Sequence, residues 1–322
     1  MRSIGVWAVL LGFVCGTVAA EERLAELRLD YAYYSPSSLV AKRFGWVESA
    51  VAADGTRVKW VLSQGSNRAL EYLNGGGVDF ASTAGLAALL ARANGNPVRT
   101  VYVYSRPEWT ALAVSKDSPI RSVTDLKGRK VAATKGTDPY LFLLRSLRAF
   151  NVPRSEVEIV HLQHPDGRVA LEQGRVDAWA GLDPHLAASE LEAGSRLLYR
   201  NTAFNSFGVL NTADAFLAAH PKVVERVIAV YERARRWILE HPAEAARILA
   251  EESKLPLAVA QRQLERTDFS VAVPGTTLAE TLREAGPILE AEGLVRKGTD
   301  IPAAVNALIV SPPARLVTAG RD

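Results

Sequence analysis

LAVSKDSPIRSVTDLKGRKVAATKGTDPYLFLLRSL, residues 112–147, sets the reading of the whole chain. It parses into an apolar strand at Leu112–Val114, a polar connector and a short helix at Val123–Leu126. A glycine turn at Gly128 leads to a second strand at Lys130–Thr134, then Gly136, then a helix opening at Asp138–Pro139. A strand that passes through a glycine-bearing loop into a helix N-terminus turns backbone N–H groups toward a crevice. Open α/β sheets hold small ligands at such places.

On either side of this unit the pattern keeps alternating strand and helix, as a parallel sheet flanked by helices requires. Leu27–Tyr33 reads as a strand, and Ser35–Pro36 as the N-cap and first position of a helix reaching Phe44. Arg57–Leu62 is the next strand, and Ser66 opens a helix that ends near Asn74-Gly75-Gly76-Gly77. Val78–Ala81 is a short strand, Ser82–Thr83 the cap of a helix through Ala93, and Val98–Tyr104 a further strand. Beyond the quoted stretch come strands at Val157–Leu162 and Val176–Ala180, with helices at Asp166–Gln173 and after Asp183–Pro184. Phe207–Leu210 reads as a return crossing, and the remainder as mostly helical. There Val223, Val227, Val230, Ala234 and Trp237 make an apolar packing stripe.

The expected fold class is therefore α/β, with two lobes, each a mostly parallel sheet flanked by helices, joined by two hinge crossings. Residues 21–110 and 208–310 make lobe 1, residues 111–207 make lobe 2, and residues 311–322 a flexible tail. Ahead of them, Arg2, the apolar run Ile4–Val14 and the small residues Val18-Ala19-Ala20 before Glu21 read as a cleavable export signal over residues 1–20. The run is short for a membrane span, and the bulky residues before Cys15 disfavour a lipid-modification site. Cleavage would remove the only Cys and the only Met, leaving no disulfide, thiol nucleophile or soft metal ligand. The roughly 300 residues that remain exceed what one core usually serves, so two domains are expected. With 38 Lys plus Arg against 35 Asp plus Glu and no long run of either sign, the chain presents no nucleic-acid groove or membrane-binding stripe.

Three helix starts carry the chemical reading: Ser35–Pro36, Ser82–Thr83 and Gly136-Thr137-Asp138 each follow a strand's carboxyl end. If the lobes face one another these starts converge on one cleft, bringing unpaired N–H groups, positive dipole ends and hydroxyl donors. A tetrahedral anion that never needs a proton suits that setting; the alternative is that each residue only caps its own helix. Gln64 joins the set because it closes the second strand at the same rim. Tyr31, Tyr33, Tyr34, Tyr104, Trp109, Tyr140, Trp179, Phe204 and Phe207 crowd the rim, offering flat walls for an organic body, with mid-strand Trp179 the one best suited to packing. Arg106, at the first crossing, could reach an anion or lie solvated. His161 and His164 form an HxxH without the helical context of a zinc protease, so neither metal nor cofactor is expected. Gly75-Gly76-Gly77 lacks the Lys and Ser/Thr of a phosphate loop, and no nucleophile-elbow motif marks a hydrolase.

Lys116-Asp117-Ser118-Pro119-Ile120, Asp125-Leu126-Lys127-Gly128 and Thr134-Lys135-Gly136-Thr137 resemble segments of periplasmic binding proteins for aliphatic sulfonates and taurine, which serve ABC importers. Val176-Asp177-Ala178-Trp179 and Asp183-Pro184 continue the resemblance, which extends from Leu27 to Val310. It implies a non-enzymatic, periplasmic, monomeric protein that closes on a small organic anion, most of all an alkyl or aryl sulfonate, and delivers it to permease subunits. Tyr33, Ser35, Gln64, Ser82, Thr83, Gly136, Thr137, Trp179 and Asp183 are the expected ligand contacts. Asp138 departs from the family, which more often has a small neutral residue there. It either points away from the cleft or marks a helix start that does not face an anion. Asp183 reads a ligand amine, as a carboxylate does in taurine-type relatives, or caps the helix that Pro184 opens. Thr110 stands where such relatives can carry Glu, which lowers the expectation of an amine-bearing ligand, although Glu108 is close. The same fold hosts enzymes, and a ligand-sensing receptor subunit is a further alternative.

Overall fold

A computed structural model of the chain describes residues 24–270, 274–311 and 313; the export signal expected at residues 1–20 and most of the expected tail lie outside them. The first lobe begins β1 (Glu26–Tyr31), α1 (Pro36–Arg43), α2 (Trp46–Val51), β2 (Arg57–Leu62), α3 (Ser66–Asn74), β3 (Phe80–Ala84), α4 (Gly85–Ala93) and β4 (Val98–Pro107). The second comprises β5 (Thr110–Val114), β6 (Lys130–Ala133), α5 (Asp138–Ala149), β7 (Glu158–His161), α6 (His164–Glu172), β8 (Ala178–Leu182), α7 (His185–Glu192) and β9 (Arg196–Tyr199). The chain then returns through β10 (Gly208–Ala213), α8 (Asp214–Ala219), α9 (Pro221–Glu240), α10 (Pro242–Ser253), α11 (Leu257–Glu265) and β11 (Thr267–Asp268). It closes with α12 (Thr276–Glu284), α13 (Gly286–Ala291) and α14 (Ile301–Leu308).

Two sheets result, ordered β11-β4-β10-β3-β1-β2 and β7-β6-β8-β5-β9. Each is mixed rather than mostly parallel. β1 pairs in parallel with β2 and β3, and β6 with β7 and β8, whereas β10 and β5 run antiparallel to their neighbours. The reason is directional. A strand arriving from the other lobe enters at the edge where the parallel strands end, so it can only run back against them.

Burial follows the pattern in the sequence. Leu27 and Leu29 of β1 and Phe80 of β3 face one apolar layer with Val223, Val227, Val230 and Ala234 of α9. Trp237 is only partly buried there, stacked on His241 with ring centroids 4.8 Å apart. On the other face α4 packs with α12 and α14 through Leu86, Leu89, Leu282 and Val305. Ser82 and Thr83 lie inside β3, and helix α4 starts only at Gly85. Their neighbours hold them in the strand: Val209 and Leu210 of β10 pair opposite them, and Thr83 Oγ1 accepts from Asn211 Nδ2 at 2.8 Å.

The first crossing joins β4 to β5 at Pro107–Thr110, and the second enters β10 through Asn205–Gly208. They are tied side by side. The Thr110 N–H donates to Asn205 Oδ1 at 2.9 Å, and Asn205 Nδ2 donates to the Thr110 carbonyl at 3.4 Å. One amide side chain thus supplies both halves of a ladder rung.

Trp179, expected among the ligand contacts, belongs to the lobe 2 core. It is fully buried with Ala113, Ala132, Leu171 and Leu186. Gly167 of α6 sits so close that an added Cβ would lie 2.6 Å from the Trp179 Nε1. The mid-strand register turns the indole away from the cleft and under the helix. Gly167→Ala is expected to destabilise the fold by about 1–3 kcal/mol in a denaturant melt, because overpacking outweighs the gain in helix propensity. A neutral or stabilising result would contradict this placement of Trp179.

Candidate functional site

The carboxyl ends of β1, β2 and β3 turn toward those of β6, β7 and β8, and the loops after them form the walls of one inter-lobe cleft. Ala32, Tyr34, Ala84 and Ala87 from lobe 1 meet Trp109 and Leu182 in a single apolar cluster. Tyr34 stands edge-on to Trp109 with centroids 5.9 Å apart, and its hydroxyl donates to the Ser82 carbonyl at 2.9 Å. The lobes touch farther along the seam. A Cβ on Gly65 would lie 3.0 Å from His164 Nε2, and one on Gly136 would lie 3.5 Å from Asn67 Cβ. Gly136 has φ +80, a left-handed conformation that suits glycine.

The structure brings some of the expected contacts to this cleft and directs others elsewhere. Ser35 holds the N-cap position of α1 without capping it; its buried Oγ lies beside the Tyr104 hydroxyl, and that of Ser37 makes no hydrogen bond among the described residues. Tyr33 is half-buried at the rim, its carbonyl accepting from Gln263 Nε2 at 2.8 Å, while Gln64 is exposed. Thr137 also has the N-cap position without capping, since its Oγ1 donates to the Thr134 carbonyl at 2.6 Å. Thr83 lies deeper. It is fully buried, and its hydroxyl is occupied by Asn211 and by its own strand's Ala84 carbonyl. Ser82 lies with it in the strand, and its N–H donates to Asp30 Oδ1 at 2.7 Å. Burial pushes the Asp30 carboxyl up to about 7, against the pull of that N–H and the neighbouring Ser63 and Ser82 hydroxyls.

The expected anion site at the start of α4 is already used. The Gly85 N–H donates to the Phe207 carbonyl at 2.8 Å, and the Leu86 N–H donates to Ser206 Oγ at 3.2 Å. The second crossing therefore occupies that helix end. Nothing in the helix-start pattern could have revealed this, because the partners lie about 120 residues downstream.

Asp138 is committed to the two chain crossings. Its carboxylate is buried and accepts from the Ser206 N–H (2.9 Å), the Ser206 hydroxyl (2.8 Å to Oδ2) and Trp109 Nε1 (3.1 Å). Burial raises its pKa, and the Ser206 and Trp109 donors pull in the other direction. Asp183 takes the capping role at α7: Oδ1 accepts from the Ala187 N–H at 2.9 Å. It also faces Arg266, whose Nη1 lies 3.5 Å away and whose Nη2 contacts Glu190. Burial pushes Asp183 up to about 6, with Arg266 opposing. Arg266 follows α11, which packs on α7 through Val259, Ala187 and Ala188. The sequence reading missed Arg266 because no local motif marks a residue that acts across this distance. Among the described residues no group of His, Cys, Asp and Glu is arranged to hold a metal.

His164 has a place of its own at the seam between the lobes. It is fully buried as the first residue of α6, with Nδ1 3.2 Å from Thr134 Oγ1. The Thr134 hydroxyl already donates to the Leu162 carbonyl at 2.6 Å, so Nδ1 carries the proton and Nε2 is a bare acceptor against Gly65. Burial, and secondarily His185, lower its pKa to about 3.

Two mixed sheets, joined by paired crossings and closing their carboxyl ends on one cleft, define a two-lobed periplasmic-binding-protein fold. The chain belongs to the NMT1/THI5-like family, whose model matches residues 36–245. It is 30% identical over 302 residues to an Escherichia coli (strain K12) protein named for binding aliphatic sulfonates, covering 91% of this chain and 92% of that one. The alkanesulfonate-binding protein SsuA from Xanthomonas axonopodis pv. citri bound to MOPS superposes with TM-score 0.81 at 26% identity, covering 91% of this chain and 99% of that one. SsuA from Escherichia coli gives TM-score 0.74 at 28% identity, covering 87% and 96%.

The state of His164 sets a pH signature. Above pH 6.5 the imidazole is neutral both folded and unfolded. As pH falls from 6.5 towards 3, the unfolded chain takes a proton that the folded one refuses, and stability drops by up to ~1.4 kcal/mol per pH unit from this group. His164→Asn keeps a donor for Thr134 and cannot titrate. Its denaturant midpoint is expected to fall less steeply than the wild type's between pH 6.5 and pH 4. Parallel profiles would refute a buried neutral His164.

Proposed function

We propose that this is an exported, periplasmic solute-binding protein that captures a small organic anion, an alkyl or aryl sulfonate, in the cleft and delivers it as a monomer to an ABC permease. The observation that carries the reading is the pairing of Ser35 and Ser37 with the Tyr34–Trp109 wall. Of the two buried hydroxyls at the start of α1, that of Ser37 has no partner among the described residues and that of Ser35 has only the Tyr104 hydroxyl beside it. Beside them stands an apolar surface of alanines, Leu182 and two aromatic rings. Neutral donors at a helix N-terminus suit a head group that is charged at every pH, and the wall suits a hydrocarbon body. Gln64, Gly136 and Thr137 complete the rim on which the two lobes close. Closure takes its free energy from tighter binding to the closed form, with no covalent step. The relatives named for sulfonates support the same ligand class.

Ligand-stripped protein is expected to be stabilised by about 2.7 kcal/mol in thermal melts with an alkanesulfonate at a hundredfold excess over Kd. Ser35→Ala is expected to weaken that binding about tenfold or more, the worth of a hydrogen bond to a charged group. No response to sulfonates, with a response to cationic compounds, would overturn the assignment.

A further inference from the structure

We infer that Asp138 is a positioning residue, a clasp that binds the first helix of lobe 2 to both chain crossings and sets the Trp109 ring as a wall of the cleft. The inference rests on the solute-binding reading, in which the crossings act as a hinge. Each contact of the carboxylate reaches a different part of that hinge. Trp109 belongs to the first crossing, and its Nε1 donates to Asp138 Oδ2 at 3.1 Å. Ser206 belongs to the second, and its N–H donates to the same oxygen at 2.9 Å. The Ser206 hydroxyl lies 2.9 Å from Oδ1 and also accepts from the Leu86 N–H of lobe 1. Two turns along α5, Arg145 reaches the residue just ahead of the second crossing, its guanidinium 4.4 Å over the Phe204 ring.

The carboxylate thus gathers two crossings and one helix end at a fully buried point, with charge-assisted bonds that are stronger than neutral ones. The ring it orients stands edge-on to Tyr34 of the other lobe. Moving Trp109 away from Asp138 would open the apolar wall at the place where the lobes meet. A residue that only capped α5 would need neither Ser206 nor Trp109.

A double-mutant cycle tests this. Asp138→Asn keeps the size and one acceptor but turns an N–H2 toward one of the donors, and Trp109→Phe keeps a ring while removing one donor. Affinity for 1-butanesulfonate, measured by calorimetry, is expected to fall about tenfold in each single variant. The double variant is expected to bind no worse than Asp138→Asn, since interacting residues are not additive. Losses that multiply, or wild-type affinity in Asp138→Asn, would overturn the clasp. Small-angle scattering of the same proteins without ligand gives an independent arm. Each single variant is expected to show a larger radius of gyration than wild type, and the double none larger than Asp138→Asn. Unchanged radii would overturn the inference even if sulfonates are not the ligand, whereas a wild type that ignores 1-butanesulfonate counts against the ligand class and leaves the scattering to decide on Asp138. Should Asp138→Asn fail to fold, Ser206→Ala paired with Trp109→Phe carries the same cycle.

Discussion

The pairing of Thr110 with Asn205 is the constraint around which the molecule is arranged. Two strands that cross between lobes must leave one sheet and enter the other at the same edge, and their backbone groups must be satisfied on the way. Asn205 does this with its side chain, giving Thr110 of β5 both an acceptor and a donor. The crossings are held together there, and the strands they feed, β5 and β10, run antiparallel to their neighbours. The parallel strands of both lobes consequently end on one shared cleft.

Placement of charge within the cleft region follows from the same arrangement. Two acidic groups near it are committed to specific partners. Asp138 is committed to Ser206 and Trp109, and Asp183 to Ala187 and Arg266. The apolar cluster between the lobes is made of alanines, Leu182, Tyr34 and Trp109, with the buried Asp30 carboxyl, raised to about 7 by burial, behind it at Ser82. His164 contributes a neutral lone pair at the seam rather than a cation. A ligand with an apolar body finds an apolar wall there, and neutral hydroxyls at the start of α1 offer its head group donors.

Strand and helix order, the return crossing and the apolar stripe of α9 were legible because they depend on local periodicity. Ser35 was legible for the same reason, since a serine before proline marks a helix start whatever surrounds it. The site itself was only partly readable. Ser82 and Thr83 look like a cap in sequence, yet β10 pairs with them and extends the strand by three residues beyond Ala81. The direction of Asp138 depends on Ser206, 68 residues away, and that of Asp183 on Arg266, which arrives from the far end of the chain. Trp179 was named as both wall and core; only the register of β8 against β5 and the position of Gly167 place it in the core. Local signals name the helix ends, whereas long-range contacts decide which of those ends remain available to a ligand.

The most direct measurement is calorimetric titration of ligand-stripped protein with an alkanesulfonate series of increasing chain length, alongside carboxylates of the same lengths. A cleft that couples neutral donors to an apolar wall should bind the sulfonates about fourfold tighter per added methylene until the wall is covered, with a negative heat-capacity change. Sulfonates should also outbind the matched carboxylates. Affinity that is flat with chain length, or equal for the two head groups, would contradict the account.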